Sequence, residues 1–397
     1  MRQILNATFR VQETAPSPRL EALGQLTMHP LWGLPIVLAV LALVYLFVGV
    51  LGARILVDWF EGTLFGRLIN PAVTALVAPL PLPIVREFLV GPYGLVTMAL
   101  TYGLAIVLPI VATFFIAFGI LEDSGYLPRL AVMANQVFKA MGLNGKAVLP
   151  MILGLGCDTM ATLTARIMDS RKERVIVTLL LALGVPCSAQ LGVILGMLGA
   201  LPPAAALLWL ATVAGVLLAV GFLASRVLPG ESSEFVLEIP PLRLPQASNL
   251  LIKTAARIEW YLREVIPVFV LGTAVLFALD ETGLLARIEH VLSPVVVSWL
   301  GLPAAATGVL LVGFLRRDYG AAGLFALATA GALSVRQTVV ALVVITLFIP
   351  CIAALLMIVR EHGLRVALTM LATVLAVVLL VGGALNLALG GLHVPLG

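Results

Sequence analysis

The chain has 397 residues, 61% of them hydrophobic and only 11% charged, with a mean hydropathy of +1.13. Soluble domains carry about 25% charged residues, so a soluble enzyme or binding domain is excluded. The small excess of 24 Lys and Arg over 20 Asp and Glu fits the loops of a membrane protein better than a nucleic-acid surface, and no nucleic-acid partner is expected.

Residues 1–30 hold Arg2, Arg10 and Arg19 without an early apolar core. They read as a cytoplasmic N-terminal segment rather than a cleaved signal peptide, with 31–57 as the first anchor. Further spans are expected at 95–121, 175–201, 204–224, in a shorter stretch ending near Leu279, at 337–359 and at 367–389, about seven crossings in all. Two more apolar stretches, 148–165 and 303–333, are interrupted by Gly, Cys, Asp and Arg. The positive-inside rule decides their nature. If both cross, the basic residues fall mostly outside; if both are re-entrant, 17 lie inside against five outside. Re-entrant hairpins entering from opposite faces are therefore expected.

Two parts of the chain repeat one order of motifs. The first runs Leu121-Glu122-Asp123-Ser124-Gly125, Gly142-Leu143, Gly154-Leu155-Gly156-Cys157-Asp158, Val185-Pro186-Cys187-Ser188-Ala189. The second runs Leu279-Asp280-Glu281-Thr282-Gly283, Gly301-Leu302, Gly313-Phe314-Leu315-Arg316-Arg317-Asp318, Ile349-Pro350-Cys351-Ile352-Ala353. The fold class expected is an all-α polytopic membrane protein, about seven full transmembrane helices plus two re-entrant hairpins in an inverted gate-type repeat. Its expected parts are the N-terminal segment 1–30, the first two transmembrane helices in 31–121, gate repeat 1 in 122–201, a transmembrane helix and a cytoplasmic linker with an interfacial helix in 202–263, gate repeat 2 in 264–359, and a C-terminal transmembrane helix in 360–397.

Pro186 and Pro350 remove helix hydrogen bonds at mid-membrane. The carbonyls they free need protein, a hydrated cavity or a passing cation as partner. Cys187 and Cys351 follow these breaks directly, while Cys157 and Asp158 fall at the tip of hairpin one, where a carboxylate costs on the order of 3 kcal/mol. The plain alternatives are packing cysteines and an ion pair between Asp158 and an arginine of hairpin two. Cys157, Asp158, Cys187 and Cys351 form a candidate set for a borderline divalent transition metal, with Met160, Pro186, Ser188, Gln190, Arg316, Arg317, Asp318 and Pro350 lining or gating the path. Three cysteines in apolar surroundings do not make a disulfide framework. The four histidines lie outside the spans, so a His-rich zinc site is not expected. Neither a P-loop nor a nucleophile and base pair is present, and no enzyme is expected. The polar run 231–264, with Pro240, Pro241 and Pro245 ahead of an amphipathic segment 247–263, reads as a cytoplasmic linker ending in an interfacial helix. With Arg166 to Arg174 it offers a docking surface.

The motifs around Leu121 to Arg129, Gly154 to Asp158, Val185 to Leu191, Gly313 to Gly320 and Ile349 to Ala353 resemble the membrane part of the bacterial ferrous iron transport protein B family, from about Leu31 onward. That resemblance implies Fe²⁺ import across the cytoplasmic membrane, with Fe²⁺ as transported ion, no permanently bound cofactor, and Cys157, Cys187 and Cys351 at the family's gate cysteines. Where the family usually has Asn after the first gate Cys, this chain has Asp158. The N-terminal GTPase domain usual in the family is not among these motifs, so the expectation is either a separate GTPase subunit or small cytoplasmic accessory protein, or a permease that works uncoupled. Membrane lipid is an expected partner, and a homo-oligomer is left open. Gate segments of this kind also resemble those of nucleoside transporters, so an organic-solute transporter, or a non-transporting scaffold for a GTPase, stands as the alternative.

Overall fold

The structure, a computed structural model, describes residues 24–29, 32–91, 94–231, 242–315, 317–348 and 350–391. Most of the expected N-terminal segment, Pro240 and Pro241 of the linker, and Arg316 lie outside the described residues, as does the side chain of Asp318. Among the described residues the chain is helical with no strand, as an apolar interior demands, because a helix satisfies its backbone internally.

The first long helix, α1 (Gly33–Val77), continues beyond the expected anchor, and its most apolar stretch is largely uncovered by protein. Leu34, Leu38, Leu43 and Leu46 project outward from it, a face suited to lipid. The short α2 (Pro83–Val90) leads to α3, which runs from Leu95–Val107 straight into Leu108–Asp123. After α4 (Tyr126–Ala140) come hairpin one, α5 (Val148–Gly156) and α6 (Asp158–Thr164), and a broken pair, α7 (Arg171–Gly184) and α8 (Ser188–Gly199). The spanning α9 (Pro203–Val227) separates this unit from the second. That unit holds α10 (Ala247–Glu281), α11 (Leu284–Pro294), hairpin two made of α12 (Ala305–Leu315) and α13 (Arg317–Thr329), and a second broken pair, α14 (Val335–Thr346) and α15 (Ile352–His362). The last helix is α16 (Leu364–Gly391).

Among the described residues, four helical stretches are long and apolar enough to cross a bilayer. The stretches 175–201 and 337–359, expected to be broken at Pro186 and Pro350, are each two short helices with an extended break at the Pro-Cys pair. The segment 247–263, expected as a separate interfacial helix, is the first half of α10, which carries on without interruption past Pro267. Its charges explain why it stands against the bundle. Lys253 Nζ lies 2.7 Å from Asp123, Arg257 lies 2.8 Å from Glu122, and Asn249 donates to Asp123 at 3.2 Å. The Arg257 guanidinium also covers the rings of Phe115 and Phe118.

Backbone geometry repeats with the motifs. Gly125 and Gly283 (φ 76° and 64°), then Gly142 and Gly301 (both φ 69°), hold left-handed conformations at matching places. Ser170 with Glu173 and Ser334 with Gln337 form capping boxes that open α7 and α14, and each Ser stands 17 residues before its Pro-Cys cysteine. The acids differ: Asp123 is buried among cations, whereas Asp280 and Glu281 are exposed. The shared motif therefore specifies a glycine turn, and the ionic anchor belongs to the first copy.

Beyond their polar first turns, α7 and α14 are apolar on nearly every face and central. Val339 to Ile345 are completely or nearly completely buried, and α7 sends Leu180 and Leu181 to one apolar cluster and Ala182 and Leu183 to the other. The second copy's turn is tight: a Cβ at Gly301 meets the Asn386 amide at 2.5 Å, whereas one at Gly283 meets nothing. A left-handed non-glycine residue costs about 1–2 kcal/mol, so G283A is expected to lower unfolding stability by about that amount. G301A adds a clash and is expected to lower the thermal midpoint further, and equal midpoints for the two variants would refute the turn assignment.

Candidate functional site

Three chain breaks meet in the interior. Cys157 is extended (φ −152°, ψ 118°) between α5 and α6, and Cys187 (φ −69°, ψ 164°) and Cys351 (φ −59°, ψ 158°) are extended at the starts of α8 and α15. The elements pack crosswise. Helix α6 of hairpin one lies against α15, and α13 of hairpin two lies against α8. Each hairpin thus closes on the other unit's broken helix.

Arg317, the first residue of α13 and 2% exposed, binds the ends of both broken helices. Its guanidinium donates to Val185 O at 3.1 Å, to Ala182 O, and to Phe348 O at 2.9 Å. The carbonyls freed around Pro186 and Pro350, expected to call for a cavity or a passing cation, thus have a resident cation as partner. The same guanidinium lies 3.9 Å from the Asp158 carboxylate. That is an ion pair without a hydrogen bond, and neither Asp158 oxygen has a hydrogen-bond partner although the residue is only 4% exposed. An uncompensated acceptor in such a place is costly.

Cys351 lies within electrostatic range of Arg317, Asp158 and Cys157. The Cys157 and Cys351 sulfurs face the first-turn N–H groups of Met160 and Ala354 without a capping hydrogen bond. Cys187 is partly buried at the neighbouring break, and the adjacent Ser188 donates to Gly156 O at 3.3 Å, next to Cys157. Gln190 is fully buried and donates to Ile345 O at 2.7 Å, tying α8 to the last turn of α14, while its own carbonyl oxygen has no partner. Pro186 and Pro350 lie in the extended breaks. Met160 points elsewhere, into a cavity of about 340 Å³ bordered by Phe115, Leu153 and Thr164, with Glu122, Lys146 and Arg257 among its lining. Among the described residues no three Cys, His, Asp or Glu side chains converge to hold a metal in this conformation.

Sequence reasoning passed over one buried hydroxyl and three contacts. Thr162 is buried without a hydroxyl partner. The Trp209 indole donates to Thr346 at 3.0 Å and anchors α9 to the second break. At the far end of α15, Arg166 grips Glu361 through two nitrogens at 2.7 and 2.5 Å, and His362 pairs with Thr178 at 3.0 Å. A Ser-x-x-Glu/Gln step before each Pro-Cys was a legible signal for the capped helices; the last two contacts join residues far apart in sequence and leave no local signature.

Paired hairpins and paired broken helices around a buried polar centre define a gate-type membrane protein. The chain matches the family model described as "Gate: Nucleoside recognition" over residues 104–201 and 262–365, about half its length. It therefore belongs to the Gate family. Between the two gate parts, residues 206–257 match "Ferrous iron transport protein B C terminus", which bears out the resemblance to the membrane part of that transporter. The chain is 27% identical over 72% of its length to the "Fe(2+) transport protein A/Fe(2+) transporter FeoB fusion protein" of Porphyromonas gingivalis, covering 34% of that protein. It is 29% identical over 78% of its length to the "Fe(2+) transporter FeoB" of Synechocystis sp., covering 52% of it. The chain thus spans between a third and about half of these relatives. A solved structure, "CNTnw in an inward-facing substrate-bound state", aligns with 93% of the chain and 98% of its own at 16% identity and a TM-score of 0.45.

Two predictions follow from this geometry. Replacing Arg317 strands three carbonyls and a carboxylate in the interior, and R317Q is expected to cost about 3–5 kcal/mol, the usual loss on breaking a buried pair. R317K is expected to recover little, since an ammonium lacks the planar fork, while D158N, which removes an unsatisfied charge, is expected to be far milder; similar losses for D158N and R317Q in detergent unfolding would contradict this. Burial holds the His362 imidazole below its ordinary pKa, Arg171 and Arg174 add to that shift, and Glu361 opposes it. The folded chain then binds this proton more weakly than the unfolded chain, so the stability it carries is complete above about pH 6.5 and is lost as pH falls below that. The thermal midpoint is expected to drop between about pH 7.5 and about pH 5.5, with a smaller drop in H362Q.

Proposed function

We propose that this chain is a permease for a divalent transition metal, Fe²⁺ first, carrying it inward across the cytoplasmic membrane between the two gate repeats. Relatives named as Fe(2+) transporters, matched along most of the chain, support the choice of ion. The observation that carries the reading is the buried Asp158 carboxylate, which no hydrogen-bond donor satisfies and which lies within electrostatic range of Cys351 from the other repeat. Thiol sulfur with carboxylate oxygen suits a borderline divalent ion. Ligands that do not converge at rest let the ion pass from one- to two-donor contacts, as release requires. Cys187 at the first break extends this path, and the cavity beside Met160 and Thr164 is its cytoplasmic vestibule. In this reading the N-terminus is cytoplasmic, the hairpins dip from opposite faces with Arg316 and Asp318 steadying the second, and a separate GTPase or small accessory protein docks on the cytoplasmic side.

The second reading is a nucleoside or other organic-solute transporter. The wording of the Gate family description favours it, as do the partnerless oxygens of Gln190 and Thr162, which are acceptors of the kind that recognise a polar solute.

Fe²⁺ uptake into proteoliposomes containing the full chain separates them. Replacing Cys157, Cys187 and Cys351 together by Ser is expected to lower uptake by at least about tenfold, in keeping with the loss of metal ligands. Unchanged Fe²⁺ flux in the triple variant would sink the assignment of the cysteines as ligands, whereas flux of a nucleoside without any flux of Fe²⁺ would replace the metal reading with the organic-solute one.

A further inference from the structure

A second cavity, of about 590 Å³, lies on the outer flank of the bundle between α7, α9 and α16, away from the cysteines. Its walls are apolar, with Val175 and Leu179 at the back, Leu223 and Val227 on one side, and Met370 and Val377 on the other. Two threonines, Thr369 and Thr373, also line it, but their hydroxyls donate at 2.8 Å to Val366 O and Thr369 O of their own helix. The groove thus makes no polar demand along its length and offers nothing that would recognise a sugar or a base. Charge appears at one end only, as Arg171 and Lys172, with no acid in the lining. Lys172 Nζ gives one bond to Gly230 O at 3.0 Å, which leaves donors to spare on a three-donor ammonium.

Length completes the pattern. From Val366 to Val377 the wall on α16 rises about 16 Å, close to the depth of one leaflet, about 15 Å or half of a hydrocarbon core of about 30 Å. The positive end is on the side that keeps the basic loops, the cytoplasmic side by the positive-inside rule. A basic pocket between membrane helices at that level fits an anionic lipid headgroup.

We propose that this groove is a binding site for one anionic glycerophospholipid of the cytoplasmic leaflet, its phosphate held by Arg171 and Lys172 and an acyl chain lying along α16. Because α7 is the first half of a broken helix, the bound lipid braces the element whose end carries Val185 and Pro186. The site stands apart from the transport reading and does not depend on which solute is carried.

The test is native mass spectrometry of the full chain in non-ionic detergent, titrated with phosphatidylglycerol or with phosphatidylcholine of identical chains. Phosphatidylglycerol is expected to be retained on one site at least about fivefold better, and R171Q/K172Q is expected to bring it down to the phosphatidylcholine level, a difference of about 1 kcal/mol. Leu223 is exposed at the rim, so L223W leaves the interior untouched and reports occupancy. Brominated phosphatidylglycerol is expected to quench that tryptophan more than brominated phosphatidylcholine, and less once Arg171 and Lys172 are replaced. Equal retention of the two lipids, or quenching indifferent to both headgroup and substitution, would overturn the proposal. So would a stable dimer that shields L223W from brominated lipid, because a second copy would then be the occupant.

Discussion

A helix that stops halfway through an apolar interior leaves carbonyls that neither water nor lipid can satisfy. This chain stops two helices there, α7 and α14, and Arg317 answers both. Its guanidinium reaches carbonyls at residues 182 and 185 of one break and residue 348 of the other. Desolvating a guanidinium costs several kcal/mol, while hydrogen bonds from a charged donor contribute about 1.5–3 kcal/mol each, so three of them offset the burial. Arginine suits the position because its charge is delocalised, weakly hydrated and spread over a planar fork that can serve several acceptors. A lysine ammonium is a compact, strongly hydrated point charge without that planar fork, and it would not span acceptors on both breaks in the same way.

Arg317 sits on hairpin two, so the break in the first unit is closed from the second. The converse contacts run the same way. Gln190 on α8 holds Ile345 at the end of α14, and Arg166 just after α6 holds Glu361 at the end of α15, while within the first unit Ser188 at the break holds Gly156 at the tip of hairpin one. With the crosswise packing of α6 on α15 and α13 on α8, neither unit can shift against the other without disturbing a helix break. Packed interiors of this kind move between discrete arrangements rather than deforming continuously. The polar contacts that define the breaks are therefore the ones a conformational change must exchange.

Much of this was legible in the chain. Hydrophobic blocks, Pro-Cys pairs and recurring Gly turns located the two units, the hairpins and the breaks, because each is a local signal with a backbone cause. The Asp158 to hairpin-two ion pair was foreseen as an alternative, but its secondary role was not. The spacing of Arg317 says nothing about carbonyls 132 and 135 residues away. The extension of α10 was hidden for a different reason. Lys253 and Arg257 look like an interfacial face until Glu122 and Asp123, on a helix far upstream, are seen to neutralise them. Local propensity and pattern find elements; which charges cancel is a property of the assembled fold.

That cancellation bears on Asp158. An arginine alone beside Cys157 and Cys351 would repel any cation approaching the sulfurs, and at an effective dielectric of about 20 two unit charges about 4 Å apart interact by about 4 kcal/mol. With Asp158 at 3.9 Å from the guanidinium, the pair is close to neutral when viewed from the thiols. Since Arg317 spends its hydrogen bonds on the backbone, the carboxylate keeps its oxygens free. Structural service and electrostatic permissiveness are thus divided between two adjacent side chains: the cation holds the helices, and the anion cancels what that cation would otherwise exclude.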